Sequence, residues 1–120
     1  PDGKNIAYTA ASSQSDHAVS SVYVQSLTSS ATPVNLTVPD LIGHVQWVKW
    51  KNNNTIIYRS NEGVTTTLSE VSIRRGKRKI VLDSKKTGAI FTNPTSSKNG
   101  KMMAVVGSSG TVPGDVYLFS

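Results

Sequence analysis

Apolar residues occur along this chain in short runs separated by polar, turn-forming residues, and nowhere do they repeat at helical spacing over three turns. One sequence motif occurs three times. It begins with a turn rich in Gly or Asn and a short apolar strand. Small polar residues follow, and then a second strand in which apolar and polar residues alternate. The copies of the turn are anchored at residues 3, 53 and 100. This pattern predicts an all-β chain of antiparallel strands joined by tight turns.

The spacing of the copies indicates the architecture. Their anchors lie 50 and 47 residues apart, and a period in the forties is typical of one four-stranded blade of a β-propeller. Further strands are predicted at 34–37, 45–50, 79–83 and 89–92. We therefore predict a partial β-propeller of about two and a half four-stranded antiparallel blades. Its blade-like repeats span residues 1–40, 41–86 and 87–120.

In this assignment the first blade lacks its innermost strand and the third lacks its outermost strand. A stack of sheets interrupted in this way leaves strand edges unpaired and apolar faces uncovered. We therefore expect residues 1–120 to form one partial propeller domain within a longer protein. We also expect the isolated segment to self-associate through its open edges.

The repeat has a recognisable turn. The stretch Pro1-Asp2-Gly3-Lys4, followed by an apolar strand, resembles the repeat of the Tol-Pal translocation propeller protein and of the N-terminal propellers of prolyl oligopeptidase-family serine peptidases. The copy at 97–104 is looser, with Lys98-Asn99 in place of Pro-Asp, and the copy at 51–54 lacks the glycine. The stretch 107–118 is similar to a late blade of the acylaminoacyl-peptidase and dipeptidyl-peptidase branch.

The resemblance to the peptidases implies a non-catalytic segment that caps a serine peptidase and gates access to an active site in a separate hydrolase domain. The resemblance to the Tol-Pal component implies instead a protein-binding propeller of the bacterial envelope. The implied partners are the remaining blades and the hydrolase domain, or envelope proteins. Either reading favours a periplasmic or secreted location and leaves a cytoplasmic one open. Loop residues that could face a cavity or a partner are Asp16, His17, Ser108, Ser109 and Pro113.

Composition removes several kinds of chemistry. The chain has no cysteine, which excludes disulfides, thiol catalysis and thiolate metal sites. His17 and His44 lie far apart in sequence, and Gly107-Ser108-Ser109-Gly110 lacks the spacing of a serine nucleophile elbow. We predict no catalytic residue, no metal and no cofactor in this chain. The longest apolar run, residues 102–106, is too short to span a bilayer.

The net charge of +6 comes from one segment, because residues 74–86 hold seven Lys or Arg and one Asp. A phosphate-binding patch is one interpretation of this cluster. A hairpin tip with solvated charges and Gly76 at the turn is the interpretation that we favour, since no aromatic residue interleaves to stack a base. We therefore predict no nucleic-acid partner. Trp47 and Trp50 are predicted to project from opposite faces of one strand and to pack in the core.

Overall fold

The computed structural model describes residues 1–37 and 41–120, and this part of the chain is all-β. Its strands pair in antiparallel fashion within three separate sheets. The first sheet has the order β1-β2-β3, with β1 at Asn5–Ala11, β2 at Ser20–Ser26 and β3 at Val34–Asn35. The second has the order β4-β5-β6-β7, with β4 at His44–Asn52, β5 at Thr55–Glu62, β6 at Thr65–Ser72 and β7 at Arg78–Asp83.

A four-residue helix, α1 (Ser84–Thr87), leads from the second sheet to the third. The third sheet has the order β11-β10-β8, and β9 also pairs with β10. Its strands are β8 (Ile90–Phe91), β9 (Thr95–Ser96), β10 (Met103–Ser108) and β11 (Asp115–Phe119). Each sheet therefore consists of strands that are close together in sequence. Within the described residues no helix has the length and apolar character needed to cross a bilayer.

The three sheets are stacked face to face, and the second lies between the other two. Val22, Val24 and Leu36 of the first sheet share one apolar cluster with Val45, Ile56, Tyr58 and Val71 of the second. On the opposite side, Ile57 and Leu68 pack with Met103 of the third sheet. The sheets form an open stack and do not close into a ring. The predicted antiparallel all-β architecture is confirmed, and the partial propeller stays a prediction.

Equivalent positions of the three repeats face the same way. We call the face of each sheet that points toward the lower-numbered sheet its front face, and the opposite face its back face. Ile56 and Tyr58 are on the front face of the second sheet, and the corresponding Met103 and Val105 are on the front face of the third. Alternation along β1 places the corresponding Ile6 and Tyr8 on the front face of the first sheet, because Ala7 packs toward the second.

The two tryptophans project from opposite faces of β4, as predicted. Trp50 packs into the cluster with the first sheet, and Trp47 packs into the cluster with the third. A register shift between Val45 and Trp47 reverses the alternation, so that Val45, Val48 and Trp50 all point forward. Simple counting by twos along β4 would therefore have misplaced Val45.

The basic segment forms the predicted hairpin. The connection between β6 and β7 turns at Gly76, whose φ of 62° lies in the left-handed region that glycine adopts without strain. Arg74, Arg75 and Lys77 are exposed there. Arg78 departs from the predicted solvated cluster, because its side chain lies across the sheet and pairs with Glu62.

The boundary of β10 corrects one prediction. Ser108 is predicted to be a loop residue, but Gly107 and Ser108 form the last two residues of this strand. Gly107 pairs with Asp115 and with Phe91. A Cβ at position 107 would lie 2.9 Å from the Tyr117 ring and 3.2 Å from the Phe91 ring, so the close approach of the two rings requires a glycine here.

Candidate binding surface at the loop end

One end of the stack carries a connection from each of the three sheets. The N–H of Ser20 donates to His44 Nδ1 at 3.2 Å, which places the start of β2 beside the start of β4. Lys49 Nζ donates to Ser96 Oγ at 3.4 Å, which places the start of β10 beside the far half of β4. The β1–β2 loop (12–19), the β5–β6 turn (63–64) and the β10–β11 loop (109–114) therefore share one end, which we call the loop end.

The structure places the five residues singled out from the sequence at this loop end, on two different sheets. Asp16 and His17 are exposed in the β1–β2 loop of the first sheet. Ser108 is the exposed last residue of β10, and Ser109 and Pro113 belong to the β10–β11 loop of the third sheet. The second sheet separates the two groups, so the fold gathers Ser108, Ser109 and Pro113 but does not join them to Asp16 and His17.

Ser109 shapes its own loop. Its Oγ accepts hydrogen bonds from the N–H groups of Val112 at 3.0 Å and Thr111 at 3.3 Å. Its main-chain N–H donates to the carbonyl oxygen of Val112 at 3.0 Å. A serine that is used in this way stabilises a turn. The His17 N–H donates to Ser15 Oγ at 3.4 Å, which is the same kind of local contact.

A polar pocket that sequence reasoning missed lies between the second and third sheets at the loop end. Its lining includes Gln46, Arg59, Asn61, Thr65 and Ile90, and we call it the Arg59 pocket. Its volume is about 160 Å³, and it is open to solvent. This volume is smaller than that of most small-molecule sites, so the pocket suits one polar group of a larger ligand.

Arg59 is positioned by hydrogen bonds from both of its terminal nitrogens. One donates to the carbonyl oxygen of Phe91 at 2.9 Å and thereby links β5 to β8. The other donates to Gln46 Oε1 on the neighbouring strand. Arg59 Nε is buried and has no hydrogen-bond partner among residues 1–37 and 41–120. Burial lowers the pKa of the Arg59 guanidinium, but an arginine keeps its charge at neutral pH.

The nearest acidic residue in sequence faces the other way. Alternation along β5 sends Arg59 and Asn61 to the back face and Glu62 to the front face. There Glu62 pairs with Arg78, and its carboxylate also accepts hydrogen bonds from Ser60 and Thr67. Burial raises the pKa of Glu62, but the hydrogen bonds and the Arg78 charge outweigh that effect and leave the pKa below its ordinary value.

The hydrogen bonds of His44 and Ser109 at the loop end are structural. His44 Nδ1 accepts the Ser20 N–H, so this imidazole connects two sheets. In the described part of the chain no three His, Cys, Asp or Glu side chains gather closely enough to hold a metal ion. A sequence signal for the pocket did exist, since Arg59 directly follows the apolar run Ile56-Ile57-Tyr58 in a strand with two covered faces.

No protein-family model matches the chain, and no curated protein sequence is significantly similar to it.

Proposed function

We propose that this chain is a segment of a β-propeller that forms a non-catalytic wall beside a cavity completed by other parts of the same protein. The observation that carries the proposal is the common direction of the three repeats. Ile6, Ile56 and Met103 occupy equivalent positions and all point to the front of their sheets. Repeats stacked in one direction, each with its own antiparallel sheet, are the arrangement from which propellers are built.

The uncovered faces at the two ends of the stack support the proposal that further blades pack on both sides of this segment. On the back face of the third sheet, Val106, Val116 and Leu118 are 44%, 62% and 69% exposed. On the front face of the first sheet, Ile6 is exposed beside Tyr8 and Tyr23, whose rings stack with centroids 5.8 Å apart. Apolar residues on contiguous surface mark a contact site. A further sheet on each side would cover these residues as the second sheet covers its neighbours.

The uncovered back face is open to a direct test. The isolated chain is expected to self-associate, and a double substitution Val116→Lys with Leu118→Lys should weaken that association about tenfold or more. Val64→Lys is the matched control, because Val64 is 94% exposed in the β5–β6 turn, outside that face. Sedimentation over a concentration series measures the effect. A chain that stays monomeric throughout, or equal weakening by the control, would contradict the proposal.

Within this role, gating of a serine peptidase is the first specific function that we propose. It draws on the resemblance of the repeat turn and on the gathering of one connection from each sheet at one end of the stack. A rigid wall with loops over a cavity selects substrates by size and excludes water from the chemistry. In the complete protein, His17→Ala and Pro113→Ala should alter the preference between short and long peptides while leaving kcat on the smallest substrate unchanged. Unchanged length preference in both variants would argue against gating.

A protein-binding propeller of the Tol-Pal type is the second proposal. It is favoured by one feature, namely that the Arg59 pocket is built entirely from this chain and needs no hydrolase domain. The complete coding sequence separates the two proposals. A hydrolase domain with a nucleophile elbow would support gating, and its absence would support the binding module.

A further inference from the structure

Among the residues that the structure describes, the Arg59 guanidinium has no counter-ion. The ion pairs within residues 1–37 and 41–120 are Lys51 with Glu70 and Arg78 with Glu62, and neither includes Arg59. The Arg59 side chain is partly buried, and charged groups are increasingly found in pairs as they are withdrawn from water. Within the described chain its hydrogen-bond acceptors are neutral, namely the Phe91 carbonyl and the Gln46 amide oxygen. Such a guanidinium retains unfilled capacity for an anion.

The surroundings of the pocket specify the kind of anion. Arginine presents its donors as a planar fork that matches a carboxylate. Beside it, the Asn61 side chain makes no hydrogen bond within the described chain and adds a free amide donor. The rim is aliphatic, since Val64 and Ile90 are 94% and 57% exposed. A carboxylate attached to an aliphatic group would satisfy both parts of this lining.

We propose that the Arg59 pocket binds the carboxylate of a peptide, with an adjacent aliphatic side chain resting on Val64 and Ile90. Arg59 is the charged anchor, Asn61 contributes a hydrogen bond, and Gln46 holds the guanidinium in place. The site requires only the second and third sheets, so it stands apart from the proposed propeller and its function. It would serve equally in substrate selection or in recognition of a partner protein.

Four probes added to the full chain distinguish a C-terminal carboxylate from a side-chain carboxylate and from inorganic phosphate. They are N-acetyl-Ala-Val with a free C-terminus, the same peptide as its C-terminal amide, N-acetyl-Glu amide, and inorganic phosphate. Calorimetry measures affinity, and the NMR shifts of the Asn61 and Gln46 side-chain amides report the location. We expect the free peptide to bind about tenfold or more tightly than its amide. Tighter binding of the Glu probe than of the free peptide would instead assign the site to side-chain carboxylates.

The variants use matched charge changes. Arg59→Gln should weaken binding of the free peptide about tenfold or more, whereas Arg74→Gln removes the same charge from the exposed β6–β7 hairpin and should not. Gln46→Glu supplies an internal carboxylate to Arg59 without changing the shape of the side chain. It should weaken binding to a similar extent even if Arg59→Gln fails to fold. Equal affinity for peptide and amide, preference for phosphate, or full binding by Gln46→Glu would overturn the proposal.

Discussion

The second and third sheets share one strand plan and differ in how much of it is covered. In the second sheet, Ile56, Ile57 and Tyr58 are consecutive and all buried, because neighbouring sheets pack on both faces of β5. In the third sheet, β10 alternates between buried and exposed residues, and β11 is exposed along most of its length. The difference teaches that the repeat determines strands and turns, while the position in the stack determines which apolar residues become core.

The largest expected effect comes from truncating a leucine, and it should differ between the second and third sheets. Leu68 is 2% exposed in the second sheet, and Leu118 is 69% exposed in the third. Leu68→Ala should lower the free energy of unfolding by about 2–5 kcal/mol, because it leaves a cavity between packed sheets. Leu118→Ala should change it by less than about 0.5 kcal/mol. Urea denaturation of both variants measures the contrast, and equal losses would show that the back face of the third sheet is covered in solution.

A second contrast uses two glycines of the third sheet. Gly107→Ala should cost about 1–3 kcal/mol, because the new methyl group overlaps the Tyr117 and Phe91 rings. Gly110→Ala meets no neighbouring atom and should change stability by less than about 0.5 kcal/mol. Thermal unfolding of the two variants compares them. A neutral Gly107→Ala would mean that the Tyr117 and Phe91 rings pack less closely on β10 than the structure shows.

The polar cluster of Glu62 and Arg78 belongs to the second sheet alone. Glu62→Gln should cost about 1–2 kcal/mol, because Arg78 is only 9% exposed and would lose its counter-ion. Glu70→Gln breaks the more exposed pair with Lys51 and should cost less than about 1 kcal/mol. Denaturant titrations at neutral pH and low salt provide the measurement. A larger loss for Glu70→Gln would contradict this ranking.

The same carboxylate makes stability depend on pH. Because the pKa of Glu62 is lower in the folded chain than in the unfolded chain, its stabilising contribution is fully present above the unfolded pKa of about 4.3. That contribution is lost as the pH falls through the lower folded value. The Glu62→Gln variant should therefore lose less stability than the wild type between neutral pH and strongly acidic pH. Parallel curves for the two proteins would rule out this linkage.

Much of the fold followed from local patterns. The turns at residues 3, 53 and 100, the hairpin at Gly76 and the opposite faces of Trp47 and Trp50 were all predictable, since each depends on neighbouring residues and strand periodicity. The candidate site was less accessible to sequence reasoning. Asp16 and His17 lie at the same end of the stack as Ser108, Ser109 and Pro113, but on a different sheet.

The sequence by itself determined the β-strands, their tight turns and the threefold repeat, because alternation and turn chemistry act over a few residues. Only the tertiary structure decided what the strands enclose. Arg59 reaches the carbonyl oxygen of Phe91 across 32 positions of sequence, and the requirement for Gly107 comes from rings on two other strands. Contacts of this kind depend on which sheet packs against which. A pattern read along one strand does not contain that information.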